Sequence, residues 1–285
     1  MALPFIPSDA VLLAVQAGAV AAPRDGAPGL EALSGLRGRG WALVPIASIV
    51  GIIFAIRYVS DTAAVLTYLA LVAVPPLAAL ALSWAGRFSW SSVPRIGLWS
   101  VLCVAALFVL AWRTPASLVG QGAAVALSAL SCVTLGVLLA GLTPGSWLKA
   151  GIVLMAAADS WLVLSDLLQA PNATLVAAHP AAGLPRLQSA LFGSVSMGYG
   201  DLFIAAVLGA LLARERSSQR IGALLTLVIA ALFDLLFLLV DELPATVPVA
   251  LALIVIELWR RREPGATSAD RSPSRPGGET LRPAR

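Results

Sequence analysis

Long apolar runs dominate the sequence and limit the folds that the chain can adopt. A helix needs about 20 mostly apolar residues to cross the hydrocarbon of a membrane, and nine runs approach that length. The composition agrees, because 59% of the residues are apolar and only 12% are charged, unlike a typical soluble domain. We therefore predict an all-α polytopic membrane protein with about nine transmembrane helices, at residues 5–22, 41–56, 62–84, 96–112, 118–142, 147–168, 187–213, 221–240 and 244–259.

The first of these runs is the weakest. Pro4, Pro7 and Asp9 crowd its start, where proline and a charge disfavour an apolar helix. A signal peptide is the alternative interpretation, although such a peptide begins with basic residues and none precedes this apolar part. If the run is not a span, the number of helices falls to eight and the topology changes.

The chain divides by composition into three parts. Residues 1–146 hold the first five predicted membrane helices, and residues 147–262 hold helices six to nine. Residues 263–285 are rich in Pro, Gly, Ser and Arg, which predicts a disordered tail.

Basic residues predict the orientation of the helices, because they concentrate in the cytoplasmic loops of membrane proteins. The loops on one side hold only Arg57, Arg113 and Arg186. We therefore expect an integral plasma membrane protein with its N-terminus outside and its C-terminus in the cytoplasm. The basic residues on the side assigned to the cytoplasm are Arg24, Arg37, Arg39, Arg87, Arg95, Lys149, Arg214, Arg216, Arg220 and Arg260 to Arg262.

The placement of the charges and the small number of cysteine and histidine residues argue against several other functions. The net charge of +4 comes from arginines between apolar runs and in the tail, so it indicates topology rather than nucleic-acid binding. Cys103 and Cys132 fall inside apolar runs and suit small buried side chains. His179 is the only histidine, which leaves little to build a metal site or a Ser-His-Asp triad. We expect no metal and no cofactor.

Four aspartates lie in or near the apolar runs, namely Asp159, Asp166, Asp201 and Asp234. A charged residue at the centre of a membrane helix costs about 2.5 to 3.5 kcal/mol on insertion scales and usually has a function. Asp159 lies mid-run and Asp201 follows two glycines, whereas Asp166 lies nearer an end, where water can solvate it. Two carboxylates brought together in a low-dielectric site share one proton, which is the working arrangement of aspartyl proteases.

The stretch Gly198-Tyr199-Gly200-Asp201 resembles the GxGD segment of the presenilin and signal peptide peptidase family of intramembrane aspartyl proteases. Members of that family have nine helices, with catalytic aspartates in the sixth and seventh and a Pro-Ala-Leu motif opening the ninth. This chain has Asp159 in its sixth run, Asp201 in its seventh, and Pro244-Ala245-Thr246 at the start of its ninth. The resemblance extends over residues 147–259 and implies a presenilin-like bundle.

The resemblance also implies a role for each matching residue. Asp159 and Asp201 would be the catalytic pair, the motif residues beside Asp201 would shape the active site, and the proline segment would bind substrate. Two positions depart from the family pattern: Ala158 replaces the usual tyrosine, and the third position of the proline motif is polar. The implied motif and substrate-binding residues are Gly198, Tyr199, Gly200, Pro244, Ala245 and Thr246.

The predicted function is therefore hydrolysis of peptide bonds in transmembrane segments or signal peptides, with membrane-spanning peptides and the lipid bilayer as partners. Prepilin peptidases also carry a GxGD aspartate, but Leu202-Phe203-Ile204 differs from the lysine-containing continuation of that family. Two alternatives stay open. Intramembrane carboxylates also serve proton-coupled transporters, and a catalytically inactive relative would bind membrane helices without cleaving them.

Overall fold

The protein is mostly helical. The computed structural model describes residues 4–25, 35–58, 62–85, 97–165, 174, 177–178, 183–238 and 243–262. Within these ranges the α-helices are α1 (Phe5–Ala21), α2 (Val44–Tyr58), α3 (Thr62–Ala85), α4 (Leu98–Arg113), α5 (Leu118–Leu142), α6 (Gly145–Leu164), α7 (Tyr199–Leu212), α8 (Arg216–Phe233) and α9 (Val247–Arg262). A 3₁₀ turn, Arg39–Leu43, precedes α2 and another, Asp234–Leu238, follows α8.

Four helices in the described ranges are long and apolar enough to cross a membrane: α3, α5, α6, and α8 with its 3₁₀ extension to Leu236. This finding agrees with a membrane protein but does not give nine full spans. Helices α1, α4 and α7 are apolar but have only 17, 16 and 14 residues, below the roughly 20 that the hydrocarbon requires. Nine apolar runs therefore correspond to nine helices in the described ranges, and only four meet the length criterion.

The seventh predicted helix, residues 187–213, is wrong in its first half. Strands β1 (Ser189–Phe192) and β2 (Val195–Gly198) form an antiparallel hairpin there, and α7 begins only at Tyr199. Gly193 opens the two-residue turn with φ of 61°, a conformation that glycine adopts without strain. The chain is thus not purely α-helical, because a two-stranded sheet precedes α7.

The short helix α7 is the most deeply buried element, and it lies between α1 and α5. Most of its side chains are buried, including Leu202, Ile204 and Leu208. Glycine permits this close packing: a Cβ added at Gly209 would lie 2.2 Å from the Val20 carbonyl oxygen of α1. Small residues at helix contacts allow such approaches in membrane bundles. Helix α7 is therefore packed against both α1 and α5.

Helix α1 is an integral part of the bundle. Leu12 and Val20 are fully buried, and the helix packs along α7 and α8. The buried side chain of Gln219 on α8 donates hydrogen bonds to the carbonyl oxygens of Val20 and Pro23, both at 2.9 Å. The weak first run is thus a helix whose end is fixed by polar contacts, which satisfy carbonyl groups that a helix end leaves unpaired.

Candidate active site

Asp201 lies in the first turn of α7, directly after the hairpin. Its Oδ2 accepts a hydrogen bond of 3.0 Å from the backbone N–H of Gly198, which caps the helix. An acidic side chain at this position satisfies an unpaired amide and interacts favourably with the helix dipole. The strand-to-helix transition at Gly198 therefore fixes the carboxylate at the start of α7.

Asp159 lies on α6, five residues before the last residue of that helix. Its Oδ2 accepts a hydrogen bond of 2.6 Å from the Thr246 hydroxyl, and the backbone N–H of Thr246 donates to the same carboxylate. Thr246 is only 1% exposed. Charge-assisted hydrogen bonds of this kind are short and strong, so Thr246 holds the carboxylate in a defined orientation.

The structure brings Asp159 and Asp201 together. Helices α6 and α7 are neighbours, and the carboxylate of Asp159 acts directly on that of Asp201 through its charge. Both side chains are half-buried among apolar helices, where charges are weakly screened. Two residues that are 42 positions apart in the sequence thus lie close enough for their charges to interact.

The segment Pro244-Ala245-Thr246 lies immediately before α9 and beside this pair. Besides the contact of Thr246 with Asp159, the carbonyl oxygen of Ala245 accepts a hydrogen bond of 2.9 Å from the buried side chain of Gln16. The carbonyl oxygen of Pro244 accepts a hydrogen bond from the backbone N–H of Val247, which closes the turn that leads into α9. The segment is therefore held from two sides, by α6 and by α1.

The two motif glycines have different surroundings. Gly198 is the extended residue before α7, and a Cβ added there would lie 2.9 Å from Oδ2 of Asp201. Gly200 lies inside the first turn, and a Cβ added there meets no other atom within 4 Å. Open space therefore exists beside Gly200.

Tyr199 anchors the start of α7 to α5. Its hydroxyl lies 2.7 Å from the Ser131 hydroxyl, and its carbonyl oxygen accepts a weak hydrogen bond of 3.6 Å from the Cys132 thiol. A third contact follows along α5, where Ser128 donates to the carbonyl oxygen of Leu187 just before β1. A row of small polar residues on α5 thus holds both ends of the hairpin segment.

The turn of the hairpin is also held by side chains that the sequence reasoning missed. Gln121 on α5 accepts a hydrogen bond of 2.8 Å from the Gly193 amide, and the Ser8 hydroxyl on α1 accepts one of 3.3 Å from the Ser194 amide. Together with Gln16 and Ser131, these are polar residues within apolar runs. Their location within apolar runs could have indicated these contacts, since a polar group in an apolar environment requires a hydrogen-bond partner.

Two other aspartates of the apolar runs are Asp234 and Asp166. Asp234 begins the 3₁₀ turn after α8 and lies near Asp9 of α1. Asp166 lies outside the described residues. Within the described ranges, no group of three or more His, Cys, Asp or Glu side chains could hold a metal ion.

Comparison with known proteins finds no matching family model, no similar curated protein and no similar solved structure. The functional assignment therefore rests on the chemistry of the chain's own residues. Two adjacent carboxylates in an apolar bundle can activate a water molecule and polarise a carbonyl group, or they can bind and release protons.

Proposed function

We propose that the chain is an intramembrane aspartyl protease that cleaves peptide bonds in transmembrane segments or signal peptides. The observation that carries this proposal is the proximity of the Asp159 and Asp201 carboxylates at the start of α7. The placement of Thr246 against Asp159 supports it, because the proline segment is where the presenilin and signal peptide peptidase family has a motif beside its catalytic pair.

The pair would act as a general acid and base that share one proton. The ionised carboxylate takes a proton from water as the water oxygen attacks the substrate carbonyl carbon. The protonated carboxyl donates its proton to the carbonyl oxygen, which gives a neutral tetrahedral diol. When the C–N bond breaks, the proton taken from water passes to the amide nitrogen, and loss of the donated proton forms the new carboxyl group and restores the pair.

The surrounding contacts would position the pair rather than react. The two donors of Thr246 orient Asp159, and Gln16 holds the segment that carries Thr246. The Tyr199–Ser131 contact holds the start of α7. Correct placement of reacting groups contributes much of the rate of an enzyme, so these contacts belong to the proposed machinery.

The proposal includes a nine-helix, presenilin-like arrangement with the N-terminus outside and the C-terminus in the cytoplasm. The distribution of arginines supports this orientation. Helices shorter than the hydrocarbon thickness are accommodated by local thinning of the bilayer or by neighbouring protein. The buried α7, with 14 residues, is covered by α1 and α5.

The test is cleavage of a model single-span peptide by the purified protein in lipid nanodiscs, with the cleavage site read by mass spectrometry. The variant Asp201→Asn keeps the size of the side chain and an acceptor for the Gly198 amide, so it should fold but lose turnover. Asp234→Asn is the matched control, because it also alters an aspartate of an apolar run but not one of the proposed catalytic pair. Persistent cleavage by Asp201→Asn would refute the mechanism.

A proton-coupled transporter is the second candidate, and one observation favours it. Asp9 on α1 and Asp234 just after α8 are a second pair of neighbouring carboxyl groups, and chains of intramembrane carboxyl groups serve as proton relays. In proteoliposomes, proton flux that Asp234→Asn abolishes, without peptide cleavage by the wild type, would favour transport. Absence of both flux and cleavage would favour an inactive relative that binds membrane helices.

A further inference from the structure

A groove of about 580 Å³ lies between α6 and α9. This volume is within the range of roughly 300–1,000 Å³ that is typical of small-molecule sites. The walls are apolar and partly exposed: Leu154, Ile254 and Leu258 are 49%, 39% and 48% exposed. Among the apolar residues that line the groove are Val153, Leu154, Ala157, Leu253, Ile254 and Leu258.

The mouth of the groove is charged. Lys149 at the start of α6 and Glu257 on α9 form a salt bridge of 2.7 Å across it. Arg261 also lines the mouth, and no carboxylate in the described part of the chain forms a salt bridge with it. The neighbouring Arg260 is paired with Glu215 and Glu257, so the positive charge available to a ligand at this mouth is that of Arg261.

Two tryptophans place this mouth at the level of lipid headgroups. Trp147 lies in the first turn of α6 and is 42% exposed, and Trp259 lies in the last turn of α9 and is 50% exposed. Exposed tryptophans concentrate at the boundary between water and hydrocarbon. Arg39 lies over the Trp147 ring, with 5.9 Å between the guanidinium carbon and the ring centroid, which adds another positive charge at this level.

We propose that the groove binds an anionic phospholipid, with an acyl chain between α6 and α9 and the phosphate at Arg261. The two ends of the groove match the two ends of such a lipid. Apolar walls suit the acyl chain, and basic pockets between membrane helices bind anionic headgroups. A zwitterionic lipid would gain less, because its own positive charge opposes the arginine. This site is separate from the proposed protease chemistry and does not depend on it.

The test uses a phosphatidylglycerol with a photoreactive diazirine in one acyl chain, added to the full-length protein in phosphatidylcholine nanodiscs. Labelled peptides are identified by mass spectrometry after irradiation. We expect labelling of α6 around Val153–Ala157 and of α9 around Leu253–Leu258, and we expect unlabelled phosphatidylglycerol to suppress it more strongly than added phosphatidylcholine. Equal suppression by both lipids would show non-selective contact with the bilayer and overturn the proposal.

Three variants sharpen the test. Arg261→Gln should reduce labelling about fivefold, equivalent to about 1 kcal/mol for one basic side chain at an anionic surface. Ala157→Phe should also reduce labelling, because it fills the groove from an exposed position without a change of charge. Arg220→Gln is the matched control: this exposed arginine lies in the first turn of α8 and does not line the groove.

Two further competitors distinguish other occupants. Suppression by inorganic phosphate at the same concentration would assign the site to a free anion and overturn the phospholipid. Suppression by a model single-span peptide, with none by phosphatidylglycerol, would assign the groove to a protein helix and also overturn the proposal. Labelling unchanged in both Arg261→Gln and Ala157→Phe would show that the lipid binds elsewhere.

Discussion

The contact between Thr246 and Asp159 gives a quantitative test of the proposed site. Thr246→Val replaces the hydroxyl by a methyl group of similar size, so the 1% exposed side chain still fills its place. The variant removes the 2.6 Å hydrogen bond to Oδ2 of Asp159 but keeps the backbone N–H donor. One of the two contacts that orient the carboxylate is therefore lost selectively.

The expected size of the effect follows from the lost interaction. A hydrogen bond to a charged group contributes about 1.5–3 kcal/mol. Each 1.4 kcal/mol of transition-state stabilisation is about tenfold in rate, so kcat should fall roughly 10- to 100-fold. Because the backbone contact survives, we expect residual activity rather than complete loss.

The assay is the initial rate of peptide cleavage in nanodiscs, compared among wild type, Thr246→Val and Thr246→Ser. The serine variant retains a hydroxyl donor and should recover most of the rate. If the role of Thr246 were purely structural, the rate would instead depend on the methyl group, which valine keeps and serine lacks. A fall in kcat with little change in KM indicates a role in positioning. Wild-type kcat in Thr246→Val would refute the reasoning.

Three other predictions concern packing, and thermal unfolding measures each one. Gly209→Ala should lower the free energy of unfolding by about 1–3 kcal/mol, because its Cβ would lie 2.2 Å from a carbonyl oxygen of α1; Gly18→Ala, which meets nothing within 4 Å, is the control. Ser131→Ala should cost about 1–3 kcal/mol if the Tyr199 hydroxyl is left unpaired; an unchanged Tm would contradict this. Gly193→Ala should cost about 1–2 kcal/mol, because its φ is 61°, and faster hydrogen exchange in the hairpin should accompany it.

The positions of the helices could be predicted well from hydropathy. The fifth apolar run, residues 118–142, coincides with α5, and the third run differs from α3 by one residue. Hydropathy wrongly predicted a helix at residues 187–198, because an apolar segment has the same mean hydropathy whether it is helical or extended. The turn residues Gly193 and Ser194 were the local signal for a hairpin.

The two aspartates could be identified from sequence because charged groups are costly in apolar runs. The hydrogen bond of Thr246 to Asp159, and the contacts of Gln16 with Ala245 and of Ser131 with Tyr199, could not be predicted, since the partners lie far apart in sequence and meet only through packing. The polar third position of the proline motif departed from the expected pattern. Its hydroxyl contact with Asp159 gives that departure a physical role.

A double-mutant cycle tests the central claim most directly, namely that Asp159 and Asp201 act as one catalytic unit. Peptide cleavage rates are measured for wild type, Asp159→Asn, Asp201→Asn and the double variant, all verified as folded by thermal unfolding. Residues that act as a unit are non-additive, so each single variant should lose as much activity as the double variant. Losses that add, or cleavage retained by either single variant, would contradict the account.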